Sequence, residues 1–138
     1  MSIHVFLNFN GNCRKAAEFY AQVFDAPTPK IASFNDAPPH PDFPMTEDLK
    51  KLVMYTEVYV AGSKIMLSDV PPDIPLRQGN NISITLNSED PAQVEKWFEG
   101  LKADGKVEME LQKTMWSELY GMVTDQFGIS WQLNYISE

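Results

Sequence analysis

The feature that most constrains how this chain folds is a structural programme run twice. Each half opens on a short apolar strand, passes through a turn, and enters a helix carrying an aromatic pair, Phe19-Tyr20 in the first half and Trp97-Phe98 in the second. Later in each half a glycine leads a matching strand: Gly62-Ser63-Lys64-Ile65-Met66-Leu67 resembles Gly128-Ile129-Ser130-Trp131-Gln132-Leu133. Such internal similarity signals duplicated supersecondary units. Element by element, each unit reads βαβββ, so the predicted fold class is α+β. One domain over residues 1–138 is expected, with a first module at 1–75 and a second at 76–138. At 138 residues and 43% hydrophobic, the chain has enough apolar surface for one core-bearing domain.

In the first module, Ile3 to Phe9 reads as a strand and Asn12 as the cap of a helix from Cys13 to Phe24. Ala16, Phe19, Tyr20, Val23 and Phe24 recur there at three- and four-residue spacing, which makes one buried stripe. Residues 27–49 carry Pro27, Pro29, Pro38, Pro39, Pro41 and Pro44. Locked φ angles and missing N–H donors suit a long surface loop there, with a short edge strand around Lys30 to Phe34. Leu52 to Val60 and Ser63 to Asp69 form a predicted hairpin around Ala61-Gly62. In the second module Asn81 to Leu86 is a predicted strand, and Asp90-Pro91 a capped helix start. Val94, Trp97, Phe98 and Leu101 form that helix's buried stripe, and Gly105 fits its stop. Lys106 to Gln112, Leu119 to Thr124 and Ile129 to Tyr135 supply three more strands.

Charge and cysteine content narrow the function classes. A formal charge of −8 and a pI near 4.7, with eleven dispersed Lys and Arg, argue against nucleic acid as a partner. No apolar run approaches the roughly 20 residues that span a bilayer. The start Met1-Ser2-Ile3-His4 lacks the basic region of a signal peptide, so no membrane partner and a cytoplasmic location are expected. The single cysteine, Cys13, excludes an internal disulfide and a thiolate metal cluster, and leaves stability to packing.

Strand alternation exposes a second face. Ile82, Ile84 and Leu86 oppose Asn81, Ser83 and Thr85; Trp131 and Leu133 oppose Ser130, Gln132 and Asn134. Val5, Leu7 and Phe9 oppose His4, Phe6 and Asn8; Ile65 and Leu67 oppose Lys64, Met66 and Ser68. The first-named sets are expected to pack under the helices. The other, mixed-polarity sets fit either a solvated sheet surface or a concave cavity whose Asn, Ser, Gln and His side chains orient a small ligand.

Particular residues carry a family resemblance. Leu7-Asn8-Phe9-Asn10-Gly11-Asn12-Cys13, then Ala16-Ala17-Glu18-Phe19-Tyr20 and Val23-Phe24, resemble the opening of PhnB-like proteins. These are a branch of the vicinal oxygen chelate (glyoxalase, bleomycin resistance, extradiol dioxygenase) superfamily. Gly62 with Ile65-Met66-Leu67-Ser68-Asp69 is similar to their hairpin. The stretch Met115 to Gly128, with Trp131-Gln132-Leu133, is similar to a closing motif that usually reads Trp-Gly, then Gly, then Asp-Pro-Phe-Gly-His; Ser117, Gln126 and Ile129 depart from it. The resemblance implies paired modules whose curved mixed sheet forms a cleft with helices packed outside, commonly in a homodimer. It also favours the cavity reading of the polar face.

Metal-dependent superfamily members hold a divalent ion with His, Glu or Gln from the first and last strands of each module. The matching positions are His4, Met66, Asn81 and Gln132, of which only His4 is a good ligand. Glu57, with His4 and Gln132, makes at most a marginal open site. No tightly bound metal and no other cofactor are therefore expected. The expected ligand-binding residues are His4, Phe6, Asn8, Tyr55, Glu57, Met66, Asn81, Ser83, Trp116, Gln132 and Asn134, with catalytic residues unassigned. Cys13 reads as a structural thiol and His40 as a solvated loop residue. Trp116 and Tyr120 fit a pocket mouth, a dimer seam or the core, and Phe34, Phe43 and Met45 fit a cover over a ligand or a partner subunit. Two readings of function follow: a metal-independent binder of a small molecule, or a metal-dependent isomerase, lyase or dioxygenase. For the methyltransferase label that some relatives carry, the sequence offers no glycine-rich loop and no acidic partner for adenosylmethionine.

Overall fold

The structure, a computed structural model, describes residues 1–36 and 45–137. His40, Phe43 and the prolines at 38, 39, 41 and 44 lie outside the described residues. The chain divides into two compact units, Met1–Arg77 and Gln78–Glu138.

The first unit runs β1 (Val5–Phe9), α1 (Cys13–Val23), β2 (Ala32–Ser33), a 3-10 turn (Phe34–Asp36), α2 (Glu47–Lys50), β3 (Val53–Val60) and β4 (Ser63–Asp69). Its sheet has the order β1-β4-β3-β2. The outer pair β1 and β4 is parallel, because α1 and the loop after it carry the chain across the sheet, whereas the β3–β4 hairpin is antiparallel. That hairpin turns through Ala61 and Gly62 with φ of 49° and 83°. Both angles are positive, as in the primed turn whose twist matches that of the strands it joins.

The second unit repeats the plan with β5 (Ile84–Ser88), α3 (Pro91–Leu101), β6 (Lys106–Gln112), β7 (Tyr120–Thr124) and β8 (Ser130–Tyr135), in the order β5-β8-β7-β6. Again the first and last strands pair in parallel. Alternation decides which face goes inward. Phe9, Ile65 and Leu67 are buried on one side of the first sheet with Tyr20 of α1; Leu86, Trp131 and Leu133 are buried in the second with Val94, Phe98 and Leu101 of α3. Each such side chain contributes roughly 1.5–3 kcal/mol through removal of apolar surface from water.

Two buried carboxylates brace these cores. Asp69, at the end of β4, accepts hydrogen bonds from the backbone N–H groups of Gly11 (2.8 Å), Cys13 (3.0 Å) and Val53 (2.9 Å). It thereby closes the start of α1, the role the sequence assigns to Asn12, whose side chain makes no capping bond. Asp125 accepts from the N–H groups of Phe127 (2.9 Å) and Ile129 (3.1 Å) and from Trp131 Nε1 (2.8 Å), which sets the β7–β8 turn. The cap predicted at Asp90 is present, with its carboxylate accepting from the Ala92 N–H at 3.0 Å.

Other local expectations are corrected. The strand predicted from Asn81 begins only at Ile84, so Ile82 lies outside the ladder and is 78% exposed rather than packed under the helices. Val5, at the outer end of β1, is also exposed. Gly105 does not take the left-handed conformation after α3; Asp104 does, with φ of 56°. A Cβ on Gly105 would sit 2.6 Å from the Thr124 carbonyl oxygen, so close backbone approach is what glycine serves there. Within the proline-rich stretch, Thr46 caps the short α2 by accepting from the Leu49 N–H at 3.1 Å.

Candidate functional site

On the open face of the first sheet the register forms a row, Phe6 beside Met66 beside Glu57. A second row brings Asn8 beside Ser68, whose hydroxyl donates to Asn8 Oδ1 at 3.4 Å. Tyr55 shares this face: its ring lies 6.3 Å from that of Phe6, and its hydroxyl donates to Glu57 Oε1 at 2.7 Å. Lys64 Nζ stands 3.5 Å from the same carboxylate oxygen. The phenol hydrogen bond, against the cost of desolvation and with help from Lys64, holds the Glu57 carboxyl below its ordinary range; the same bond raises the Tyr55 phenol. Phe6 is 45% exposed although it is a large apolar ring.

Beside Glu57 lies an open pocket of about 400 Å³, walled by residues 27–30 and by Tyr55, Glu57 and Tyr59. Of this lining, Tyr55 and Glu57 are among the residues expected from sequence, whereas Tyr59 and the proline-flanked segment are not. Parity along β3 puts Tyr59 on the same face as Tyr55 and Glu57, so the signal for it was present. The approach of residues 27–30 had no such signal.

The open face of the second sheet is arranged differently. Gln132 sits between Thr85 and Met122 in register. Its Oε1 accepts from the Tyr120 hydroxyl at 2.6 Å and its Nε2 donates to Ser83 Oγ at 2.7 Å, so both ends of the amide are engaged. Burial raises the Tyr120 phenol above its usual range. Asn134 Nδ2 donates to Asn87 Oδ1 at 3.1 Å, while Asn134 Oδ1 is buried and accepts no hydrogen bond from the described residues. Trp116 is 67% exposed, with its ring edge-on to Tyr120 at 5.4 Å.

Not every predicted residue joins these groups. His4 precedes β1 and is exposed, its Nε2 2.9 Å from Ser2 Oγ. Asn81 is exposed ahead of β5. Cys13 is fully buried at the start of α1, and burial, with the Asp69 carboxylate beside it, pushes its thiol up to about 12.

The donor set can be tested against the divalent metal that metal-dependent superfamily members hold. Met66 offers a soft thioether and Asn81 a neutral amide in a loop. Gln132 has spent its carbonyl on Tyr120, and Glu57 is shared between Tyr55 and Lys64. Among the described residues no three His, Cys, Asp or Glu side chains stand together as a metal-binding group. A hard divalent ion needs about three dependable oxygen or imidazole ligands, and these residues do not fit it.

Comparison with known proteins now places the chain. Residues 1–134 match the family described as 3-demethylubiquinone-9 3-methyltransferase. The chain belongs to that family. Protein YjdN of Escherichia coli (strain K12) is 32% identical over 149 aligned residues, covering 100% of this chain and 97% of the relative. The crystal structure of PA1353 from Pseudomonas aeruginosa is 32% identical with a TM-score of 0.82, covering 99% of this chain and all of that one. The PhnB protein from Bacillus cereus is 25% identical with a TM-score of 0.71, over 99% of this chain and 100% of its own. The fosfomycin resistance protein FosX from Listeria monocytogenes, 13% identical with a TM-score of 0.62 over 97% of this chain and 91% of its own, shares the fold alone. These relatives support a PhnB-like chain with the α+β fold of two modules.

Proposed function

We propose that this PhnB-like protein binds a small organic molecule on its open sheet faces without a tightly bound metal. The observation that carries this reading is the first module's open face, where Tyr55 and an ionised Glu57 line a pocket of about 400 Å³ and the exposed Phe6 ring lies 6.3 Å from that of Tyr55. An apolar ring left in water beside a few converging polar groups is the composition of a ligand site. The predicted residues Phe6, Asn8, Tyr55, Glu57 and Met66 belong to that face, and Ser83, Trp116, Gln132 and Asn134 to the second module. His4 and Asn81 stand at the margins of the two faces.

Methyl transfer is not carried over from the family description. In this chain the N–H groups at the glycine turn after β1 are taken by Asp69, and the start of α3 by Asp90. A carboxylate thus already stands at each helix start and disfavours the carboxylate end of a methyl donor there. The same reading makes the protein a cytoplasmic homodimer; size-exclusion chromatography with light scattering tests the dimer.

The deciding experiment is thermal unfolding of chelator-stripped protein with Mn²⁺, Ni²⁺, Zn²⁺ or Fe²⁺, beside a fragment screen read by amide NMR shifts. Fragments that shift residues of the two open faces, with no stabilisation by metal, are the expected result. A stoichiometric metal that raises Tm, and loses that effect in His4→Ala, overturns the reading in favour of a metal-dependent isomerase, lyase or dioxygenase.

A further inference from the structure

We infer that the pocket on the first module's open face takes an organic ammonium ion, held over Glu57 between the rings of Tyr55 and Tyr59. This rests on the binding function proposed above and specifies its ligand. Tyr55, Glu57 and Tyr59 alternate along β3, so their side chains leave one face at intervals of about 6.6 Å. A carboxylate therefore stands midway between two aromatic rings. Both tyrosines line the same pocket as the carboxylate, so a cation bound at Glu57 has aromatic surface beside it, whose ring quadrupole attracts positive charge. Pro27 and Pro29 add apolar wall that suits the methyl or methylene groups of such an ion.

Charge within the pocket points the same way. Glu57 is the carboxylate of the lining, and the Tyr55 hydroxyl at 2.7 Å holds it in place and ionised. The protein's own Lys64 ammonium already occupies part of the cation position, 3.5 Å from Glu57. That pair is about one-third exposed on each side, at 35% and 37%, so an incoming ammonium displaces Lys64 at little cost. A net charge of −8 on the chain draws cations toward it and opposes anions. Lys30 also lines the pocket and disfavours a second positive group, so a monocation is the fitting class.

The test is an amide NMR titration of the whole chain with choline and with its uncharged isostere 3,3-dimethylbutan-1-ol. Choline is expected to shift residues 27–30 and 55–59, and to bind about tenfold more tightly than the isostere. Glu57→Gln keeps a hydrogen-bond acceptor for Tyr55 and removes the charge; it should weaken choline about tenfold and leave the isostere unchanged. Lys64→Gln removes the competing ammonium and should tighten choline by about two- to fivefold. Equal binding of the two probes, indifference to Glu57→Gln, or weaker choline binding in Lys64→Gln overturns the inference. Neutral or anionic fragments that shift this pocket while choline does not overturn it alone, whereas a screen in which nothing shifts either open face removes the binding function as well.

Discussion

The two modules share a fold and differ in how their open faces use polar groups. In the centre of β4 stands Met66, a thioether that takes no hydrogen bond from the described residues and leaves Glu57 and Tyr55 beside an open pocket. The counterpart position in β8 is Gln132, which ties Tyr120 to Ser83 across the second sheet. One duplicated strand position has thus become either a soft floor beside a pocket or a polar clasp. Duplication supplies two faces on the same plan, and this one position decides whether the centre of the last strand carries a thioether or an amide bonded on both sides.

Experiments can break or sharpen that contrast. The largest effect is expected from the apolar packing that both modules share: Trp97→Ala, at a residue only 7% exposed, should cost about 3–5 kcal/mol in denaturant unfolding. A loss under 1 kcal/mol would show that α3 is not seated as described.

The two bracing carboxylates come next. Asp69→Ala and Asp125→Ala each leave three donors without their acceptor, so each should lower stability by about 3 kcal/mol. Similar losses would mark the bracing as a common feature beneath divergent faces. An innocuous Asp69→Ala would break the parallel.

A residue exchange tests the faces directly. Gln132→Met abandons the Tyr120 hydroxyl and Ser83, and should cost about 1 kcal/mol. Met66→Gln should leave Tm nearly unchanged, because no partner waits for the amide. Equal costs in both directions would erase the distinction between clasp and floor.

The smallest effect near neutral pH is expected from Cys13, which the first module alone possesses. Its thiol pKa rises from 9.0 to about 12 on folding, so between these values the unfolded chain has lost a proton that the native chain retains. Stability therefore falls as pH rises above about 9, since the unfolded state then binds fewer protons. Cys13→Ala should flatten this alkaline decline in chemical denaturation, and the native thiol should resist iodoacetamide at pH 8 until the protein unfolds.

Much of the fold was legible in the sequence, for reasons visible in particular residues. The stripe of Val94, Trp97, Phe98 and Leu101 and the alternation of Ile65-Met66-Leu67 are local periodicities, and burial obeyed them. Element ends were less legible because partners distant in sequence decide them. Ile82 keeps strand-like alternation but has no neighbouring strand, and Asn12 could cap α1 in isolation yet yields to Asp69, 57 positions later in the chain. The family resemblance followed from contiguous motifs.

The candidate site divides along the same line. Sequence alone determines which side chains share a strand face, because alternation is a property of extended backbone: Phe6 with Asn8, Met66 with Ser68, and Gln132 with Asn134. It also determined the absence of carboxylates from the four metal-matching positions. Only the tertiary structure decided what those side chains do. The approach of residues 27–30 to β3, the bond from Tyr55 to Glu57 and the clasp of Gln132 depend on where loops pass and how rotamers meet. Local composition does not encode those contacts, because each is chosen by the packing of every element around it.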